Sequence, residues 1–379
     1  MIFKKPKTAD TALLFPQPFF GWRGEFLRRR PGLGRRAWQS RLAKTSLRNP
    51  THQNIMSDFI TQNHQEDNLD RRGFLHCMAW AGSGVFFTLS GGILSSRIFM
   101  PGEANAAESS LSAGSDFTFA QISDSHIGFK KPANADVGAT FRETIARINR
   151  LPRTPDFILH TGDLTHLSEA QEFDDLQQML LDCKTKQIFY VPGEHDVLSD
   201  NGAQYRARFG KDTQGAGWSS FDHRGVHFIG LVNVMQIKEG GLGVLGQEQL
   251  TWLQRDLAGV SKSTPIVVYA HIPLWAVYPK WGWGTDDSAI ALEMLKPFGS
   301  VTVLNGHIHQ AMQKIEGNIT FHTARSTAFP QPEPGTAPKP GPKMVPAEKL
   351  RSFLGMTSVS YVETSHSLAI VDSTLAAKL

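Results

Sequence analysis

Cysteine is nearly missing: the 379 residues include two, Cys77 and Cys183. Two thiols cannot form a disulfide framework, and without a Cys-x-x-Cys pair there is no thiolate zinc site. Long apolar runs are missing too. Beyond residue 107 no stretch approaches the roughly 20 consecutive apolar residues of a membrane-spanning helix. The third shortage is of positive charge in the body of the chain. The formal net charge is +4, yet residues 1–55 hold 12 Lys and Arg against 2 Asp and Glu, which leaves the remainder at −6. A mildly acidic body has no electrostatic footprint for polymeric nucleic acid, so no nucleic-acid partner is expected. The length suits one large domain or two ordinary ones.

Met56 opens a second amino-terminal pattern. A polar lead reaches Asp70, then come Arg71-Arg72-Gly73-Phe74-Leu75-His76 and a run rich in Gly and Ser from Cys77 to Leu94. Ala104-Asn105-Ala106 offers a small-residue cleavage site. The pattern resembles a twin-arginine export signal, with Asp70 and His76 where Ser/Thr and Lys are frequent. The resemblance implies a partner, the twin-arginine export machinery, and a mature protein that is periplasmic or secreted. The competing reading is a membrane anchor, but glycines, serines and Arg97 make 77–99 a poor permanent span, so no stable span is expected in the mature form. A signal belongs at a chain's start. Residues 1–55 are therefore expected to be a basic extension upstream of a true start at Met56, followed by the signal (56–106) and one folded domain (107–379).

From Phe117 onward, short apolar runs end in side chains able to bind metal or move protons. Phe117–Ile122 reads as a strand followed by Asp124 and His126, and period-two alternation would aim both the same way. A helix is expected over 139–150, a strand over 157–161 ending in Gly162-Asp163, and a helix over 168–183 with Ser168 as its N-cap. A third strand ends at Pro192-Gly193, where a turn would present Glu194, His195 and Asp196. Next come two strands joined by a turn at Asp222-His223-Arg224-Gly225, a helix over 247–258, and a buried strand ending in His271. A Trp-rich loop follows, with Trp275, Trp281 and Trp283. Another strand, 301–304, leads to His307 and His309, again aimed alike by period two. Residues 330–346 hold seven prolines and should form an irregular loop. Strands over 359–363 and 367–372 would close the sheet at an edge. Alternation of strands and helices predicts an α/β fold.

Imidazole is not a turn-making side chain, so its recurrence at strand ends points to a shared cation site. The order Asp-x-His, Gly-Asp, Gly-Glu-His-Asp, His, Gly-His-x-His resembles that of the calcineurin-like metallophosphoesterases over roughly 117–325. The resemblance implies two mixed β-sheets packed as a sandwich flanked by helices, with a dinuclear metal site at the strands' carboxyl ends. It also implies ligands. Asp124, His126, Asp163 and His309 would hold one divalent ion, and Asp163 would bridge to a second held by Glu194, His271 and His307. His195 would be catalytic, contacting the phosphoryl or leaving-group oxygen, with Asp196 orienting it. The family places Asn where this chain has Glu194.

Two cations about 3.5–4 Å apart can clamp the attacking and leaving oxygens of phosphoryl transfer, and a water bridging them becomes hydroxide near neutral pH. Mixed imidazole and carboxylate ligands suit Mn, Fe or Zn better than Mg or Ca. The expected function is an exported metal-dependent hydrolase of small phosphoesters, either phosphodiesterase or phosphomonoesterase. The alternative is an exported metal-binding module in which Glu194 has abolished turnover. Lys130, Lys131, Lys280 and Arg325 are candidates to face a phosphate, and Trp275, Trp281 and Trp283 to wall the site. His160 and His166 could support it from behind or at its rim. His223, His227 and His322 read as packed or solvated.

Overall fold

The short apolar runs become strands in the computed structural model, which describes residues 85–90, 93–98, 116–362 and 367–378. Strands β1 (Val85–Ser90) and β2 (Ile93–Ile98) pair as an antiparallel hairpin. The paired arginines, the cleavage site and residues 1–55 lie outside the described residues. Among the described residues no helix is long and apolar enough to cross a membrane.

The first half of the domain alternates β3 (Phe117–Ile122), α1 (Val137–Ile148), β4 (Phe157–His160), α2 (Ala170–Leu180), β5 (Ile188–Tyr190) and α3 (Ala203–Phe209). The second half runs β6 (Ser219–His223), β7 (Val226–Gly230), α4 (Gln247–Ala258), β8 (Ile266–Ala270), α5 (Ser288–Leu295), β9 (Val301–Asn305), β10 (Met312–Glu316) and β11 (Ile319–Thr323). The chain closes with β12 (Gly355–Val362) and β13 (Ser367–Thr374). One sheet has the order β13-β12-β3-β4-β5, the other β10-β11-β9-β8-β7-β6. Parallel strands fill the middle of the second sheet and the β3-β4-β5 side of the first, and β12, β13, β6 and β10 add antiparallel pairings. This is the expected pair of mixed sheets with flanking helices.

Strands buried on both faces read as continuous apolar runs, and both sheets follow that rule. Phe119, Phe157, Phe228, Val267, Tyr269, Leu304 and Val359 form a shared apolar layer of fully buried side chains. Phe119 stacks on Phe157 at 5.0 Å, and Phe221 on Phe228 at 4.8 Å. Burying one such ring stabilises the fold by about 1.5–3 kcal/mol. Cys183 is buried and unpaired in the layer under α1 and α2.

Two local expectations need correcting. Ser168 is not the cap of α2. It sits at φ 54, and its hydroxyl takes the Ser199 amide at 2.7 Å. Glu169 is the N-cap, and the Glu172 carboxylate accepts from its amide and from that of Leu167. The β6–β7 turn is also tighter than four residues. Asp222 and His223 stay in the strand, and Arg224-Gly225 turn alone with φ of 44 and 81, as a two-residue hairpin requires. Residues 330–346 form no helix or strand, as their prolines demand.

Candidate metal centre

The side chains expected to hold metal come from strand ends of both sheets and meet as two groups. Asp124, His126 and His309 form one, and Glu194, His271 and His307 the other. Asp163 lies between them. Its Oδ2 is 3.4 Å from His126 Nε2 and 3.4 Å from His271 Nε2. His309 Nε2 lies 3.2 Å from Asp124 Oδ1 and 3.2 Å from His126 Nε2. On the other side, His271 Nε2 and His307 Nδ1 each approach a Glu194 carboxylate oxygen to 3.0 Å.

How the chain achieves this differs from the period-two expectation. β3 ends at Ile122 and β9 at Asn305, so none of the four residues once assigned to strand alternation is on a strand. Asp124, His126, Asp163, His307 and His309 all have left-handed backbone, with φ from 41 to 69. They are five of the nine non-glycine residues with positive φ among the described residues. Side chains other than glycine enter that region reluctantly, and clusters of such residues mark sites where geometry overrides local preference. One consequence is that His307 and His309 do not point alike. They diverge, one to each group.

Close approach explains two glycines. A Cβ on Gly193 would lie 2.0 Å from Asp163 Oδ1, and one on Gly162 would lie 2.5 Å from His271 Nδ1. The backbone itself adds donors, with the His307 amide on Asp124 Oδ1 at 3.0 Å and the His195 amide on Asp163 Oδ1 at 3.0 Å.

The histidines are oriented from behind. His271 Nδ1 donates to the Thr161 carbonyl at 2.7 Å and His309 Nδ1 to the Phe329 carbonyl at 2.5 Å. A carbonyl only accepts, which fixes a proton on Nδ1 and makes Nε2 the nitrogen left to ligate. Phe329 also packs its ring on His126 at 4.8 Å and on His309 at 4.7 Å. His195 is held the same way, Nδ1 donating to the His166 carbonyl at 2.6 Å while the two rings stack at 4.9 Å. The expectation that Asp196 orients the His195 ring is therefore corrected. The buried Asp196 carboxylate instead accepts from the amides of Leu164, Thr165 and Gly193 at 2.8–3.0 Å. It ties the turn bearing Glu194 and His195 to the loop after Asp163.

Polar atoms left over at the centre test whether a cation fits. Glu194 Oε2, His271 Nε2, His307 Nδ1 and His126 Nδ1 are buried and make no well-aligned hydrogen bond, although His271 Nε2 and His307 Nδ1 lie 3.0 Å from Glu194 oxygens. An unsatisfied buried polar atom costs about 1–3 kcal/mol, so three in one group need something to complete them. The electrostatics agree. Burial pulls His271 down, but Asp163 and Glu194 outweigh it and hold the ring well above its usual value. Burial raises Glu194, yet His307 and His271 bring it well below the usual carboxylate range. Both shifts reflect carboxylates in need of positive charge. Burial followed by the neighbouring His195, His309 and His166 keeps His126 well below its usual value and hence neutral, the form that ligates. The donor set of imidazole nitrogen and carboxylate oxygen fits Mn, Fe or Zn.

A cleft of about 320 Å³ opens on the second group, lined by Glu194, His195, His307, Trp281 and Trp283 among others. Trp275 is not among its walls. It stacks on Phe321 at 5.8 Å instead. Lys130, Lys131, Lys280 and Arg325 do not line it either. His160 is fully buried, 3.0 Å from Ser125 Oγ, one layer behind the ligands. His227 and His322 are packed against carboxylates, as expected of structural histidines. The sequence reading missed the carbonyls of Phe329 and His166 and the side chain of Gln331, which donates to the His307 carbonyl at 2.8 Å. No residue-type signal marks a carbonyl.

The family model for the calcineurin-like phosphoesterases matches residues 117–311. The chain is 28% identical over 224 residues to a "probable cyclic nucleotide phosphodiesterase" of Vesicomyosocius okutanii, covering 56% of this chain and 88% of that one. It is 24% identical over 159 residues to a "probable glycerophosphodiester phosphodiesterase" of Arcobacter nitrofigilis, covering 41% of this chain and 56% of that one. A solved purple acid phosphatase from yellow lupin seeds shares the fold, with a TM-score of 0.51 at 12% identity over 69% of this chain and 52% of its own.

Proposed function

This chain belongs to the calcineurin-like phosphoesterase family, and from that premise we propose that it is an exported hydrolase of small phosphodiesters working through two divalent cations. That it is a metallophosphoesterase follows from the family. The finer reading is carried by one observation: two ligand groups flank Asp163, and the second opens on a cleft that Glu194, His307 and His195 line. The names of the relatives favour diesters over monoesters.

Asp124, His126, Asp163 and His309 would hold one ion, and Asp163, Glu194, His271 and His307 the other. Cations there would supply Lewis acidity toward a phosphoryl oxygen and lower the pKa of bound water to about 7. The remaining work belongs to side chains. The Thr161 and Phe329 carbonyls fix the Nδ1 protons and ring orientations of His271 and His309, so Nε2 is the nitrogen turned toward a cation. The His166 carbonyl fixes His195 with its proton on Nδ1. Nε2 is then the ring nitrogen free to hydrogen-bond the departing oxygen or, when protonated, to hand it a proton. Asp196 acts on the loops and not on that ring.

Metal analysis of the purified protein, with hydrolysis of 4-nitrophenyl phosphate and bis(4-nitrophenyl) phosphate, tests this reading. Two equivalents of metal and faster turnover of the diester are expected. Two metals without turnover of any phosphoester would point to a binding module. Export rests on the Arg71-Arg72 pattern, the small-residue site and the length of 56–106. Replacing both arginines by lysine should hold the protein in the cytoplasm, and unchanged export would contradict it.

A further inference from the structure

The Pro-rich segment 330–343 packs against the metal centre as a strap. The Lys343 amide donates to the Pro330 carbonyl at 2.8 Å and closes it. Inside it, Gln331 spans two loops, Nε2 donating to the His307 carbonyl at 2.8 Å and Oε1 accepting the Gly341 amide at 3.0 Å. Gln310 Nε2 adds a bond to the Pro332 carbonyl at 2.9 Å. The strap starts one residue after Phe329, whose carbonyl orients His309. It lies beyond the 117–311 family match.

Gln331, Pro340 and Gly341 form one wall of the cleft, Trp281 and Trp283 another, and Ile237, 45% exposed, stands at its edge. Glu194 is the metal-centre carboxylate that reaches this space. Its side chain is 28% exposed, against 0% for Asp124 and 2% for Asp163. None of the described residues lining the cleft is Lys or Arg.

We propose that the strap is a specificity wall, which admits phosphodiesters whose second ester arm is small, flat and uncharged and rejects arms carrying a further phosphate. The proposal rests on the phosphodiesterase reading above and sharpens it. The strap's prolines offer apolar surface to a flat arm, backed by the buried indoles of Trp281 and Trp283. Proline also fixes φ, so the wall loses little conformational freedom when an arm packs on it. A second phosphate would enter a partly desolvated cleft whose lining side chains include no cation, so the cost of stripping water from the added charge would go uncompensated.

The test uses the metal-loaded protein and two substrates with one leaving group: thymidine 5′-(4-nitrophenyl phosphate), with and without a 3′-phosphate. The 3′-phosphate should lower kcat/KM by about tenfold or more, since its charge would lose water with no cationic side chain to replace it. Ile237→Lys should shrink that penalty by about threefold, because a cation at the rim offsets part of the lost hydration. Gln331→Ala, which unhooks the strap, should raise KM for the unphosphorylated nucleoside ester more than it lowers kcat, with metal content retained. Equal kcat/KM for both esters in the parent would overturn the proposal while leaving the phosphodiesterase reading intact. A discrimination that survives Gln331→Ala unchanged, with KM also unchanged, would remove the strap from the account. If no diester is turned over by protein holding two metals, both readings fall.

Discussion

Histidine meets carboxylate in two regions of this molecule, with opposite outcomes. Between the β6–β7 hairpin and α4, His227 has Nδ1 2.7 Å from Asp222 and Nε2 2.9 Å from Asp256, so both ring nitrogens are used. Ser220 Oγ donates to the same Asp256. At the carboxyl ends of the strands, four imidazoles and three carboxylates converge, and His271 Nε2 and His307 Nδ1 come within 3.0 Å of Glu194 yet make no well-aligned hydrogen bond to it. The backbone differs as well. The hairpin reaches positive φ at its turn, Arg224-Gly225, whereas five ligand candidates at the centre are left-handed. A satisfied histidine pins elements together. An unsatisfied group held by strained backbone is arranged for something it must bind.

The largest effect that can break this contrast is at Asp163, the residue both groups share. Asp163→Asn should cut kcat/KM by about a thousandfold, since each cation contributes several kcal/mol and one would be weakened or lost. Turnover and metal content of the variant check this; near-parental values of both would place Asp163 outside the ligand set. Gly193→Ala comes next, because its methyl group would sit 2.0 Å from Asp163 Oδ1. Overpacking of that kind costs about 1–3 kcal/mol, readable as a lower Tm. An unchanged Tm would show that the turn has room to move.

Glu194→Asn restores the neutral amide implied by the family pattern. Removing one negative charge from the second group should strengthen the Lewis acidity available there. The acidic limb of the pH–rate profile should then move to lower pH, with kcat/KM at the optimum changed by less than about tenfold. A limb that stays in place with metal content intact would mean that Glu194 does not touch the cation.

The smallest effect belongs to the satisfied histidine. Burial pulls His227 down, but hydrogen bonds to Asp256 and Asp222, and then their charges, outweigh it and hold the ring above its usual value. A group raised on folding adds stability that is complete below its unfolded pKa of about 6.5 and is lost as pH climbs through the folded value. Asp222 is exposed and screened, so Asp256 supplies most of the effect. His227→Gln should therefore be less stable than the parent at low pH by about 1 kcal/mol, with the gap closing as pH rises past the raised value. Denaturant titrations across that range check it, and a gap independent of pH would contradict the charge argument.

The contrast also shows what could be read from residues alone. Apolar runs such as Phe117–Ile122 and Ile266–Ala270 announced buried strands because burial on both faces leaves no polar alternation to confuse the pattern. The identities at the strand ends were legible for the same reason, since imidazole is a poor turn former. Their directions were not. Period two assigned His307 and His309 to one side, and left-handed backbone sent them to opposite groups. Asp196 looked like the partner of its neighbour His195, but chain adjacency says nothing of where a carboxylate finds three amides. Trp275 resembled Trp281 and Trp283 in sequence and lies against Phe321 instead. The Pro-rich stretch was correctly read as irregular, yet irregularity gave no hint that Gln331 would join it to the His307 loop.

Anomalous scattering from crystals of the metal-loaded protein tests the central claim most directly. Two peaks about 3.5–4 Å apart are predicted, with Asp163 between them. Glu194 should lie within about 2.0–2.2 Å of the ion that His271 and His307 hold. A single peak, or a Glu194 carboxylate turned away from both ions, would contradict the account.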